Sequence, residues 1–259
     1  MQSLIHLHIL ASGSKGNATL VEAPEGLVLI DCGITRKQLL LRADELGVDT
    51  SLIRAVIITH EHSDHVNGLR VFSKRFDGPI FATKGTAEAR NGVCEKPFSI
   101  VGHQDEFEVA GMRVRTFPTS HDVNDPFGLQ FSIPGSSSDP QDCIGWCTDT
   151  GFLTDQALEE LHGCRILGIE ANHDVRMLRD GPYPSYLKAR VGGKYGHLSN
   201  DQCAEALPAL VTSETDTIVA LHISEKNNLP SLAKAAIVGA VGDGPRVLVA
   251  GQNRPITVL

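Results

Sequence analysis

Six consecutive residues, His60-Glu61-His62-Ser63-Asp64-His65, bring together three imidazoles and two carboxylates. That is the donor set zinc and similar first-row divalent ions accept. The preceding run, Ala55-Val56-Ile57-Ile58-Thr59, is apolar and β-branched and reads as a buried strand, a rigid platform for ligands. Side chains two apart in extended backbone project to the same side, which pairs His60 with His62. Asp64 and His65 then fall at the turn into a helix. The bland alternative is a polar loop with accidental histidines, and the density of donors behind an apolar strand counts against it.

One such segment cannot supply two ions. Three more segments offer donors at the ends of expected strands. His121 and Asp122 follow the run ending at Phe117. Asp149 follows Cys143–Cys147, with Gly151 permitting a tight turn. His222 lies within the apolar stretch Thr217–Ile223, where an unpartnered imidazole would be costly.

Three further features bear on a substrate. Ser12, Ser14 and Asn17 belong to Ala11-Ser12-Gly13-Ser14-Lys15-Gly16-Asn17, whose glycines and hydroxyls would let backbone N–H groups approach an anion; a plain hairpin turn fits as well. His197, in Gly196-His197-Leu198-Ser199-Asn200, precedes a helix. With Leu221-His222-Ile223-Ser224 about 25 residues on, the segment is similar to that of ribonuclease Z and its relatives, which implies that His197 is a proton donor to the leaving group. The helix N-terminus would disfavour its charged form unless a bound phosphate restored the proton; a capping or surface role is the alternative. Arg176, Arg179, Lys188, Arg190 and Lys194 form a positive stretch between the Asp149 and His197 segments, where a phosphodiester backbone would lie, although charge runs are commonly just solvated. His173 either touches substrate or supports the site. His6 and His8 are assigned to the polar face of the first strand, His103 to a turn and His162 to a helix end.

The elements that must hold these residues alternate. Strands are expected at Leu4–Leu10, Ala18–Glu22, Leu27–Asp31, Ala55–Thr59, Pro79–Ala82, Met112–Phe117, Leu129–Ile133, Cys143–Thr148, Ile166–Ile169, Thr217–Ile223 and Val247–Ala250. Helices are expected at Thr35–Leu46, His65–Phe76, Thr83–Arg90, Thr154–Leu161, Ser199–Leu210 and Leu229–Ala240. This pattern implies an α/β (α+β) chain with two mixed sheets and helices outside. Pro134–Pro140 reads as an exposed loop, and no linker divides the chain, so one domain over residues 1–259 is expected.

Bulk properties exclude several classes. At 259 residues with 41% apolar side chains, the chain can bury a full core. It has no 18-residue apolar run and no signal-peptide pattern at its start. Its six scattered cysteines, with no C-x-x-C, suit reduced thiols in the cytoplasm. Cys143 and Cys147 would share one strand face yet stand too far apart to bind one ion. Thirty-one acids against 23 bases give a net charge of −8, which argues against nucleic-acid binding by the surface as a whole but leaves room for a local basic patch.

The order His-x-His-x-Asp-His, then His, Asp and His, is similar to that of the metallo-β-lactamase superfamily. This resemblance spans essentially the whole chain and implies a four-layer αββα sandwich of two mixed β-sheets, metallo-β-lactamase fold, with a site for two divalent metal ions (Zn2+ or Mn2+) at one edge. It implies that His60, His62 and His121 hold one ion, that Asp64, His65 and His222 hold the other, and that Asp149 bridges them. Asp31, in Leu29-Ile30-Asp31-Cys32-Gly33, would orient the ligand loop. The segments SGSKGN, EANHD, GPYP, GHLSN and HISEKNN resemble the bacterial YycJ/WalJ-type group, linked to 5′→3′ exonuclease activity on DNA. The chain has no room for a long β-CASP insertion and no counterpart of the ribonuclease Z substrate arm.

The function so implied is a metal-dependent phosphodiesterase, a 5′→3′ DNA exonuclease attacking with a hydroxide from the dinuclear site. Asp64 would help orient that hydroxide, and His197 would protonate the leaving oxygen. Ser12, Ser14, Asn17, His173, Lys188, Arg190 and Lys194 would meet the substrate. The rivals are a small-molecule cyclic-phosphate phosphodiesterase, a thioesterase or lactonase, and a non-catalytic metal-binding scaffold or sensor. A thioesterase needs neither the His197 acid nor the basic stretch, and a complete ligand set counts against a scaffold. Oligomeric state stays open, a homodimer included.

Overall fold

A computed structural model of the chain describes residues 4–89, 92–133 and 142–259. Chain order begins with three antiparallel strands, β1 (His6–Ala11), β2 (Ala18–Ala23) and β3 (Gly26–Ile30). Helix α1 (Arg36–Glu45) leads to β4 (Ile53–Ile57), α2 (Ser63–Val66), α3 (Leu69–Ser73), β5 (Ile80–Ala82), α4 (Lys84–Ala89) and β6 (Ser99–Ile100). The second half runs β7 (Glu106–Val109), β8 (Met112–Pro118), β9 (Phe127–Ile133), β10 (Asp142–Cys147), α5 (Asp155–Leu161) and β11 (Ile166–Glu170). It continues through α6 (Val175–Asp180), α7 (Ser185–Val191), α8 (Asn200–Leu210), β12 (Thr217–Leu221), α9 (Pro230–Val241), β13 (Arg246–Val249) and β14 (Ile256–Val258).

These strands make two mixed seven-stranded sheets, ordered β14-β1-β2-β3-β4-β5-β6 and β13-β12-β11-β10-β9-β8-β7. Alternation within the strands explains the layering. In β3, Val28 and Ile30 point to the space between the sheets with Ile57, Leu129, Phe131 and Trp146, while Leu27 and Leu29 face outward onto Leu39 and Leu69 of the helices. In the second sheet Leu167 and Ile169 face Leu161 and Leu207. Strands buried on both faces read as continuous apolar runs, which is why they stand out in the sequence. The result is the expected helix–sheet–sheet–helix sandwich.

Several expected elements are corrected. The helix expected over His65–Phe76 is two short helices broken at Asn67-Gly68, because a Cβ on Gly68 would stand 1.9 Å from the Ile34 carbonyl oxygen. The Gly68 N–H instead donates to the Cys32 carbonyl at 2.7 Å. The basic stretch, where no helix was expected, contains α6 and α7. Strands β6, β7 and β14 were not expected; they are short, lie at sheet edges and bury little. Pro134–Pro140 and Arg90 lie outside the described residues. His8 is buried rather than at a polar surface, with Nε2 2.8 Å from Glu22 Oε2 and Nδ1 2.9 Å from Thr257 Oγ1. Among the described residues no helix is long and apolar enough to cross a membrane.

Candidate metal centre

The candidate residues gather at one edge of the sandwich because each follows the C-terminal end of a strand. Asp31 follows β3, His60 to His65 follow β4, His121 follows β8, Asp149 follows β10 and His222 follows β12. Glu170 is the last residue of β11. Three of these residues have left-handed backbone: Asp31 (φ 57°), Asp149 (φ 54°) and His222 (φ 52°). Among the described residues only two other non-glycine positions do so. Such backbone costs about 1–3 kcal/mol per residue and persists where the surroundings over-determine it. Here it ends the ladder where the ligands begin.

Among the described residues the side chains fall into four overlapping groups: besides His60, His65 and Asp149, and Asp149, Glu170, His197 and His222, there are two triads that share no residue. His60, His62 and His121 form one, with His62 Nδ1 3.1 Å from His121 Nε2. Asp64, His65 and His222 form the other, with Asp64 Oδ2 3.3 Å from His222 Nε2 and 3.6 Å from His65 Nε2. Asp149 touches both: Oδ2 is 3.3 Å from His65 Nε2, and Oδ1 is 3.4 Å from His222 Nδ1 and 3.9 Å from His121 Nε2.

The chemistry of the donor set fits a divalent metal site. His60 Nε2 is buried without a hydrogen-bond partner, and such an atom costs about 1–3 kcal/mol unless something binds it. Burial, with the nearby His65, holds the His60 ring well below the ordinary imidazole range, so it stays a neutral donor. Burial pushes the Asp149 carboxyl up, but His222 and His65 overcome this and hold it well below the carboxylate range. Nitrogen lone pairs and ionised carboxylates converging in a buried spot are what a zinc- or manganese-like ion requires.

Supporting hydrogen bonds fix the ligands. His65 Nδ1 donates to Asp31 Oδ2 at 2.7 Å, and Asp31 also accepts the Thr59 N–H and hydroxyl. His121 Nδ1 donates to the Gly196 carbonyl at 2.9 Å. These bonds place the Nδ1 proton of each ring and turn its Nε2 toward the other donors of the site. Asn17 Nδ2 lies 3.0 Å from His65 Nε2 and donates to Asp64 Oδ2 at 3.3 Å. Ser12 Oγ accepts the His222 N–H at 2.8 Å. Ser12 and Asn17 are therefore buried braces of the ligand loops, and of the Ser12–Asn17 candidates only Ser14 is exposed.

Glu170, not singled out as a site residue from the sequence, organises the interior of the site. Its fully buried carboxylate accepts the Thr150 and Leu198 N–H groups and His197 Nδ1–H at 2.8 Å, and lies 3.2 Å from His222 Nδ1. Burial raises the Glu170 carboxyl, but His197 and His222 bring it down to about 2. Burial lowers the His197 ring in turn, and the Glu170 carboxylate more than reverses this, leaving it above the ordinary imidazole value. The counter-charge expected from a bound phosphate is thus built into the protein. The His197 ring lies 4.9 Å from that of His121 and 5.2 Å from that of His222, beside both clusters. One clue in the sequence was a lone acid closing the apolar run Ile166–Ile169.

The remaining candidates are placed as follows. His173 is buried, its Nδ1 without a partner. Arg190 pairs with Asp122, whose Oδ1 is 3.7 Å from His62 Nε2 and 3.6 Å from His121 Nε2, so Arg190 reaches the centre's rim. Lys194 Nζ lies 5.1 Å over the Phe152 ring. Lys188 caps the Arg179 carbonyl at 2.7 Å. His103 and His162 make local contacts away from the site, with Asp125 and the Ala209 carbonyl.

Comparison with known proteins follows the same lines. Residues 27–223 match the family model described as beta-lactamase superfamily domain. Exodeoxyribonuclease YycJ of Bacillus anthracis is 32% identical over 241 residues, covering 90% of this chain and 88% of that protein. Exodeoxyribonuclease WalJ of Streptococcus pneumoniae is 31% identical over 236 residues, covering 89% and 86%. The metallo-beta-lactamase fold protein YhfI from Bacillus subtilis superposes with a TM-score of 0.71 at 12% identity, covering 99% of this chain and 100% of its own, and speaks for the fold alone.

Proposed function

Since the chain belongs to the metallo-β-lactamase superfamily, as a metal-dependent hydrolase of the YycJ/WalJ type, we propose that it is a 5′→3′ DNA exonuclease. His60, His62 and His121 would hold one ion, Asp64, His65 and His222 the other, with Asp149 shared. Bound there, two divalent ions would lower the pKa of water and offset charge on phosphate oxygens.

The observation that carries a phosphodiester reading is the His197–Glu170 pair beside both clusters. Glu170 holds Nδ1, so the proton on Nε2 is the one that can be given away. A phosphodiester's alkoxide leaving group needs such a proton, whereas a thiolate leaving group does not. Asp31 and Asn17 keep the second cluster oriented, and Arg190 stands where a phosphate flanking the scissile bond would lie. Relatives named exodeoxyribonucleases over nearly their whole length support DNA as the polymer.

Metal-loaded protein incubated with linear DNA labelled at either end tests the proposal. Stepwise release of nucleotides from the 5′ end is expected. Turnover of cyclic phosphates without attack on DNA would replace the exonuclease by a small-molecule diesterase, and turnover of thioesters alone would overturn phosphodiester chemistry altogether.

A further inference from the structure

All three tyrosines of the chain, Tyr183, Tyr186 and Tyr195, fall within thirteen residues of the basic stretch. From residue 175 to residue 195 five basic side chains stand against one acid, Asp180, in a chain whose net charge is −8. Tyr186 is 76% exposed and Tyr195 61%. A tyrosine ring normally buries most of its area, and among the described residues neither of these is hydrogen-bonded or stacked. Two bare aromatic rings inside the positive segment call for a partner.

Their placement points at the candidate centre. Tyr186 and Arg190 are four apart on α7 and so share a face, about 5–6 Å between Cβ atoms. Arg190 pairs with Asp122, which lies against His62 and His121. Tyr195 stands in the turn that brings the chain back to His197, whose N–H donates to the Val191 carbonyl at 2.9 Å. Its neighbours hold the ligand loops: the Lys194 carbonyl accepts the Ser120 hydroxyl at 2.9 Å, and the Gly196 carbonyl accepts His121 Nδ1–H. Both tyrosines therefore lie on backbone beside the rim of the site, in the segment that carries Lys188, Arg190 and Lys194.

We propose that Tyr186 and Tyr195 are stacking platforms for the bases of a single nucleic-acid strand, whose phosphates lie on Lys188, Arg190 and Lys194. Every base has a π face, so aromatic rings spaced among cations bind single strands with little regard to sequence. In a duplex the base faces are hidden, and phosphate contacts would leave the two rings nothing to engage. The exposed residues of α7 are Ser185, Tyr186, Ala189 and Arg190 rather than a broad apolar stripe, which disfavours a membrane or an apolar protein partner. This inference rests on the proposed function and sharpens it: the strand enters unpaired at its end.

Binding by the full-length protein in chelator, where no turnover occurs, is the test. Fluorescence anisotropy compares a labelled oligothymidylate with an abasic sugar–phosphate strand of equal length. The oligothymidylate is expected to bind more tightly. Tyr186→Ala and Tyr195→Ala should each weaken its binding roughly fivefold or more, with the abasic strand unaffected and the Phe variants close to wild type. Equal affinity of wild type for the two strands, or Ala variants that bind oligothymidylate as tightly as wild type, would overturn the inference while the exonuclease proposal stood. Binding of neither strand by wild type would likewise overturn the inference, while the exonuclease proposal is judged by the digestion of end-labelled DNA. The two side chains are exposed, so the variants' thermal unfolding should match wild type and exclude a folding artefact.

Discussion

At the scale of residues, the seven candidate ligands were legible because their chemistry is unusual where they stand: histidine and aspartate at the ends of apolar strands. Glu170 carries equal structural weight but makes its contacts across residues far apart in the chain, which spacing cannot reveal. Two expectations follow. Replacing His197 with alanine should slow turnover of a dinucleotide by about a hundredfold or more while an activated aryl phosphodiester loses far less, since only the first needs a proton on its leaving oxygen. Equal losses on both would remove the proton-donor role. His173 gives the second. Burial takes its ring down to about 4, against about 6.5 in an unfolded chain. Between those values the unfolded chain binds more protons than the folded one, so stability falls as pH drops through that window, by about 2 kcal/mol at pH 5. Urea midpoints at pH 5 and pH 7 for wild type and His173→Gln should show that slope flattened in the variant.

At the scale of elements, the central strands were legible from their apolar runs, but their ends and edges were not. Strand β14 is three residues after a proline, and β7 reads Glu-Phe-Glu-Val with half its residues exposed; neither buries enough to mark itself. Helices α6 and α7 were hidden by the glycine and two prolines of Gly181-Pro182-Tyr183-Pro184 between them. The break between α2 and α3 has a cause outside its own sequence, the approach of the Cys32–Ile34 backbone. That same approach makes Gly33 critical, since a Cβ there would lie 1.6 Å from the Asp64 carbonyl oxygen. The clash is with backbone, so no rotamer relieves it. Gly33→Ala should cost at least about 2 kcal/mol and displace the Asp64–His65 turn. Denaturant titration and zinc-binding calorimetry would register both effects; a variant with wild-type stability and affinity would show that the contact is not constraining.

At the scale of the whole molecule, the ends of six strands from both sheets converge on one edge, and what they bring is buried charge. Asp31, Asp149 and Glu170 are almost wholly inaccessible, and Asp64 is largely so, with histidines as their ion-pair partners among the described residues. Cations bound between the two clusters would tie both sheets together and act on the folded state alone, since the ligands come from positions as far apart as 60 and 222. Ligand linkage then stabilises the fold by about 4 kcal/mol at a thousand-fold excess over the dissociation constant. For a chain of this size that corresponds to a rise in Tm of roughly 8–16 °C. Scanning fluorimetry of chelator-treated protein with and without Zn2+ or Mn2+ reads it directly. His60→Ala should lose most of the rise, because its Nε2 is the buried donor with no other partner. His197→Ala should keep most of it, because Nδ1 of that ring is already engaged by the Glu170 carboxylate. Equal responses from the two variants would contradict the division between the residues that hold metal and the residue that gives up a proton.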